Sequence, residues 1–316
     1  MRPWLATAAA AARLVADRAE LWIPASLASL AFVGWLPLVL AVVPLPDAAG
    51  LGFFASDLVS SGAWPFNVVL LAAAVVFGLM SLGLLVALGE AALQRGLRPL
   101  IDDRPASGAR HAPDETLTGE TAVTFVVMLV ALLPAAAGFV LLAIGVVAVA
   151  PGEYQSPDIG GPVLLRIALG VAPPALLTLL LALVGQAFGS AVQRRAVGPH
   201  HEPISTALVH GVGDLGRHTL ALLGTAVVTL LVLVLATALS TLLLRVLWAP
   251  IGTHLRAGEL ASPQTVLLLV GFVAIWLCLV VAAGAIHAWA SAWWSLELRG
   301  RSHQQVTTAA GEPGPP

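Results

Sequence analysis

The sequence predicts an all-α integral membrane protein: six transmembrane helices arranged as three repeated helical hairpins, with amphipathic interfacial helices before spans one and five. Three observations carry that expectation. The 316 residues are 59% hydrophobic and only 10% charged, so the apolar side chains exceed what a water-soluble globule can bury. Six nearly charge-free runs, at about 21–43, 68–89, 122–150, 167–192, 219–244 and 265–288, each reach the roughly 20 residues that a helix needs to cross a bilayer core of about 30 Å. Finally, ALGEAALQRGLRP at 87–99 is echoed by AFGSAVQRRAVGP at 187–199, with Ala87/Ala187, Gly89/Gly189, Ala91/Ala191, Arg95/Arg195 and Pro99/Pro199 in matching places. Helices are preferred to barrel strands because the runs lack two-residue alternation.

The chain begins MRPWLATAAAAARLVADRAELW, which lacks the short apolar region and cleavage site of a removable signal peptide. Residues 4–20 have helical amphipathic character and lead into the first span, where Pro37 removes a backbone donor and kinks the helix. The second span ends on small residues spaced for close helix approach. Arg95 then fixes its end at the headgroups, and Pro99 breaks the helix. Pro134 falls within the third span, and Pro173 and Pro174 within the fourth.

ISTALVHGVGDLGRH precedes the fifth span. Ile204, Leu208, Val212 and Leu215 share one face, and Thr206, His210, Asp214 and Arg217 the other, as for a helix lying in the interface plane. The sixth span keeps the small-residue stripe Gly284, Ala288 and Ala292 and ends near Arg299. Residues 1–301 thus form a single transmembrane domain, followed by a disordered cytoplasmic tail at 302–316.

Arginine supplies every positive side chain, and its distribution gives the direction of insertion. Twelve of the 15, from Arg2 to Arg301, fall on the side of the N-terminus, whereas Arg166, Arg245 and Arg256 fall opposite. Cytoplasmic segments are the basic ones, so both termini face the cytoplasm of a multi-pass protein of the cell membrane. Arg166 and Arg245 lie close enough to the outer ends to snorkel. Tryptophans agree: Trp22, Trp289, Trp293 and Trp294 fall at inner ends, Trp64 and Trp248 at outer ends, and Trp35 and Trp276 pack between helices at mid-membrane.

Chemistry is sparse. There is no phosphate-binding loop, serine elbow or dinucleotide fingerprint, and no soluble stretch long enough for a catalytic domain, so a conventional soluble enzyme is excluded. Cys278 is the lone cysteine and cannot form an intramolecular disulfide or a cysteine-based metal cage. No cofactor, metal site or nucleic-acid partner is expected. The candidate polar positions are Glu90, Gln186 and His287 inside the membrane, where an ionisable group is costly, and His210, Asp214 and His218 at four-residue spacing on the amphipathic helix. Imidazoles one turn apart can share a metal, although the polar face of an interfacial helix accounts for them equally.

The amphipathic lead-in, apolar hairpin and small-residue exit ending in Arg resemble stand-alone bacterial membrane proteins related to the membrane domain of glycerophosphodiester phosphodiesterases. The resemblance spans most of residues 1–301. It implies a non-catalytic accessory or envelope-related membrane factor, since that family's hydrolase domain has no counterpart here. The alternative is a permease subunit of an ABC-2 type exporter, which would require a separate ATPase docking on the loops 94–121 or 194–218 and usually a dimer. Lipid is the one partner both readings share, and a homo-oligomer is compatible with either.

Overall fold

A computed structural model of the protein describes residues 2–43, 53, 56, 57, 60, 62–101, 116–155, 163–197, 202–258 and 262–309, and among them all regular structure is helical. In chain order the helices are α1 (Arg2–Ala16), a 3-10 turn (Ala19–Leu21), α2 (Trp22–Ser29), a π turn (Leu30–Gly34), α3 (Leu36–Val42), α4 (Phe66–Ile101), α5 (Leu117–Gln155), α6 (Val163–Gly170), α7 (Ala172–Ala196), α8 (Ile204–Arg256) and α9 (Pro263–Ala309). Five helices are long and apolar enough to cross a membrane. A sixth crossing exists if the stretch Ala19–Gly34 and the helix Leu36–Val42, bent by 42° from one another, count as one span.

The irregularity expected at Pro37 is present, as a break between two helices. Pro37 does not kink a continuous helix; it sits in the first turn of α3, where its missing N–H breaks no intrahelical bond, and the preceding turn relaxes into π geometry. Pro173 and Pro174 behave likewise, standing in the first turn of α7 instead of inside the fourth span. Pro99, expected to terminate the second span, lies within α4, which runs to Ile101. At the other end of the chain, α9 runs to Ala309, and 310–316 lie outside the described residues.

The chain divides into two compact units. The first comprises Met1–Ile101, Glu115–Thr121 and Leu231–Leu296, and its helices meet through small residues. A Cβ on Gly89 would lie 2.7 Å from the Ala28 backbone nitrogen, and one on Gly284 would run into Ser26, so α2 touches both α4 and α9 backbone to backbone. Ala87, Ala91, Ala288 and Ala292 are buried beside these contacts. In hydrocarbon such close approach gains dispersion where apolar burial gains nothing. Trp276 packs between helices as expected, its indole N–H donating to the Gly34 carbonyl at 3.1 Å, whereas Trp35 turns outward. Trp293 and Trp294 are buried: the Trp293 ring meets that of Trp4 of α1 at 4.8 Å, tilted by 56°, and neighbouring Trp289 donates to the Ala8 carbonyl at 3.1 Å.

The second unit is built on Ala122–Leu230. Gly185 and Gly189 of α7 both close on Ala131 of α5, and Gly138 lies against Thr178, whose hydroxyl is 2.8 Å from the Gly138 carbonyl. Val127, Val192, Ala196, Val197 and Ala207 make its apolar core. Arg166 pairs with Glu153 at 2.9 Å. Cys278, on the part of α9 that belongs to the first unit, is exposed.

Candidate functional site

The richest polar cluster lies in the first unit, where α4 faces α9. Each helix carries a stripe of polar residues at the four-residue spacing that places them on one face: Glu90 and Gln94 on α4, His287, Ser291 and Ser295 on α9. The two stripes interlock. Glu90 is 7% exposed, and its Oε2 stands 2.7 Å from Nε2 of His287. Its Oε1 accepts from the Ser291 hydroxyl at 2.8 Å and from the Gln94 amide at 3.0 Å. The same amide nitrogen is 2.7 Å from Ser291 Oγ. Ser295 reaches the Gln94 carbonyl oxygen at 3.5 Å, the longest contact of the set.

Charge explains why so many donors converge. A carboxylate out of water is costly unless its lone pairs are filled, and hydrogen bonds to a charged group are about twice as strong as neutral ones. Gly89 and Gly284 supply the geometry, because they draw α2 onto the two helices immediately beside the cluster and exclude solvent. Glu90 and His287 are thus brought together as a pair although 197 residues separate them. The sequence reading singled out both but passed over Gln94 and Ser291. Their signal was the spacing of four, a stripe of hydrogen-bonding residues inside otherwise apolar helices.

One turn away along α9 lies a small open cleft, lined by Ser29, the π turn and Pro37 on one side, Thr237 and Ser240 of α8 on another, and Trp276, Leu279, Val280 and Ala283 of α9 on the third. The bend between Ala19–Gly34 and Leu36–Val42 lies beside it. Ser29 is 2% exposed, and its hydroxyl has no hydrogen-bond partner among the described residues; neither has that of Ser26.

At the end of α4, Arg98 and Arg95 approach the buried carboxylate of Glu120 at 2.9 and 3.3 Å. In the second unit, Arg195 at the end of α7 binds Asp214 at 2.7 Å and Glu202 at 3.0 Å, and His210 Nδ1 lies 2.9 Å from the other Glu202 oxygen. This corrects the expected face assignment of the amphipathic segment. Ala207, Gly211 and Asp214 point inward, and Val209 and Val212 point outward. His218 sits at a break in α8, with φ −128° and ψ 26°, so the four-residue spacing does not hold it on one face with His210 and Asp214. Among the described residues no group of three or more His, Cys, Asp or Glu is disposed to hold a metal ion. Gln186 is exposed on α7 and joins no cluster. His200 and His201, and residues 102–115 of the loop considered for partner docking, lie outside the described residues.

No known protein family, curated protein or solved structure matches this chain.

Proposed function

We propose that this protein is a non-catalytic accessory factor of the bacterial cytoplasmic membrane, crossing it six times as three hairpins with both termini inside. The observation that carries the reading is the state of its polar groups. Ser291, the one hydroxyl set against a base in the cluster, is 3% exposed and donates to Glu90, which is itself held by Gln94 and His287. A nucleophile must reach substrate, and this one is committed to joining two helices. The bent stretch from Ala19 to Val42 supports a sixth crossing, and the arginine asymmetry supports the direction. Segment 204–217, with Val209 and Val212 outward beside the exposed His210 and Arg217, suits an interfacial position.

One observation favours the exporter permease as a second reading. The first span is broken beside a cleft, and broken helices at mid-membrane are how many transporters make room for substrate. A mild-detergent pull-down of the tagged protein from its native membrane, with mass spectrometry of what is retained, separates the two. The accessory reading expects the protein alone or with envelope proteins. Stoichiometric recovery of an ATP-binding subunit would overturn it in favour of the permease.

A further inference from the structure

We infer that the outward side of segment 204–217 binds anionic phospholipid, with the lipid phosphate on Arg217 and the acyl chains along Val209 and Val212. The site presupposes the interfacial position proposed for this segment and adds to it the class of lipid. At about 100° per residue the helix presents three sides, each made of residues within about 60° of one another. Ala207, Gly211 and Asp214 form the buried side: Ala207 belongs to the apolar core, a Cβ on Gly211 would lie 2.5 Å from the Val192 side chain, and Asp214 holds Arg195. Ser205, Val209, Val212 and Gly216 form a second side, all exposed. His210, Gly213 and Arg217, also exposed, form the third, which lies between the other two. Ile204, Leu208 and Leu215 are half-buried and fill the remaining flank.

That division suits a helix lying along a bilayer surface, with protein on one side, hydrocarbon on the next and headgroups above. His218 interrupts the helical backbone with φ −128° and ψ 26°, so 204–217 is a helix distinct from the remainder of α8. Immediately past the break Leu220 is 90% exposed, and Val227 is exposed two turns on, in a helix apolar enough to cross a membrane. The outward stripe of Val209 and Val212 therefore leads, at the break, into a surface that faces acyl chains.

Charge selects the lipid. Glu202 and Asp214 are both taken by Arg195, at 3.0 and 2.7 Å, on the protein side. Arg217 is exposed and makes no ion pair or hydrogen bond among the described residues. The third side thus offers a guanidinium, whose paired N–H donors match phosphate oxygens, and no free carboxylate. A headgroup of net negative charge is complementary to it, whereas the ammonium of a zwitterionic headgroup finds no anion there. Gly213 lies between His210 and Arg217, and a Cβ on it would meet nothing within 4 Å. No packing requires this glycine, which lowers helix stability, but the bare backbone beside Arg217 leaves room for a headgroup.

The test uses the full chain carrying Cys278→Ser and a bimane fluorophore on Val212→Cys. It is placed in nanodiscs of phosphatidylcholine and phosphatidylglycerol in equal amounts, with brominated, quenching chains on one of the two lipids at a time. Brominated phosphatidylglycerol should quench more strongly, with a local preference of about fivefold, the effect of one basic side chain near an anionic surface. Arg217→Gln, which breaks no ion pair among the described residues, should bring the two lipids to parity. Equal quenching by both lipids before that substitution overturns anionic binding while leaving the segment in the interface. A preference that survives Arg217→Gln overturns the assignment to this site. A bimane quenched by neither lipid overturns the interfacial position and the site together, and its shielding from aqueous iodide as well would show that protein covers the stripe.

Discussion

Gly89→Ala adds one carbon at the contact on which the polar cluster depends. The new Cβ would stand 2.7 Å from the Ala28 nitrogen, 2.8 Å from the Pro24 carbonyl oxygen and 2.9 Å from the Ala28 Cβ, where ordinary contact begins near 3.4 Å. Two of the three opposing atoms are backbone and cannot rotate away, so α2 must recede by roughly 0.5–1 Å. Overpacking of this kind costs about 1–3 kcal/mol. Gly78→Ala, in the same helix, is the matched control. Nothing lies within 4 Å of its Cβ, so only the helix preference of Ala over Gly remains, worth up to about 1 kcal/mol in favour. Unfolding in mixed detergent micelles, followed by tryptophan fluorescence, should therefore move the two variants in opposite directions. Equal stabilities would refute the claim that α2 and α4 meet backbone to backbone at Gly89.

Other perturbations reach the polar contacts directly. A double-mutant cycle on Glu90→Gln and His287→Gln should give a coupling energy of about 1–3 kcal/mol in the same unfolding assay, since the two side chains share a buried hydrogen bond. A coupling near zero would mean that the pair is not formed. In the second unit, Arg195→Gln strips Asp214 and Glu202 of their shared cation and should destabilise by about 2 kcal/mol. His210→Ala, at the exposed edge of that network, should change stability by less than about 0.5 kcal/mol.

Much of the helical content was legible because it depends on length and apolarity alone: runs near 20 residues predict helices whatever they pack against. The break in the first span was half legible. Pro37 announced an irregularity, but the Gly34 carbonyl of the π turn accepts from the Trp276 indole, a partner so far along the chain that no local pattern foretells it. Glu90 and His287 stood out as ionisable residues in apolar helices, yet no local pattern links positions so far apart. The face of segment 204–218 was misassigned for a physical reason. Helical periodicity divides a helix into two faces without saying which one meets protein, and here Leu208 of the expected apolar face packs on the core, Val212 turns outward, and Asp214 of the expected polar face turns in to Arg195.

The proposed topology rests on six crossings, and the bent stretch from Ala19 to Val42 decides between six and five. Single cysteines at Asp17, Ser107 and Ser156, in a background where Cys278 is replaced, can be probed in intact cells with a membrane-impermeant thiol reagent. Six crossings predict that Asp17→Cys and Ser107→Cys are shielded and Ser156→Cys is labelled. Labelling of Asp17→Cys together with Ser156→Cys would show that the bent stretch returns to the side it came from, and labelling of Asp17→Cys and Ser107→Cys with Ser156→Cys shielded would invert the whole arrangement.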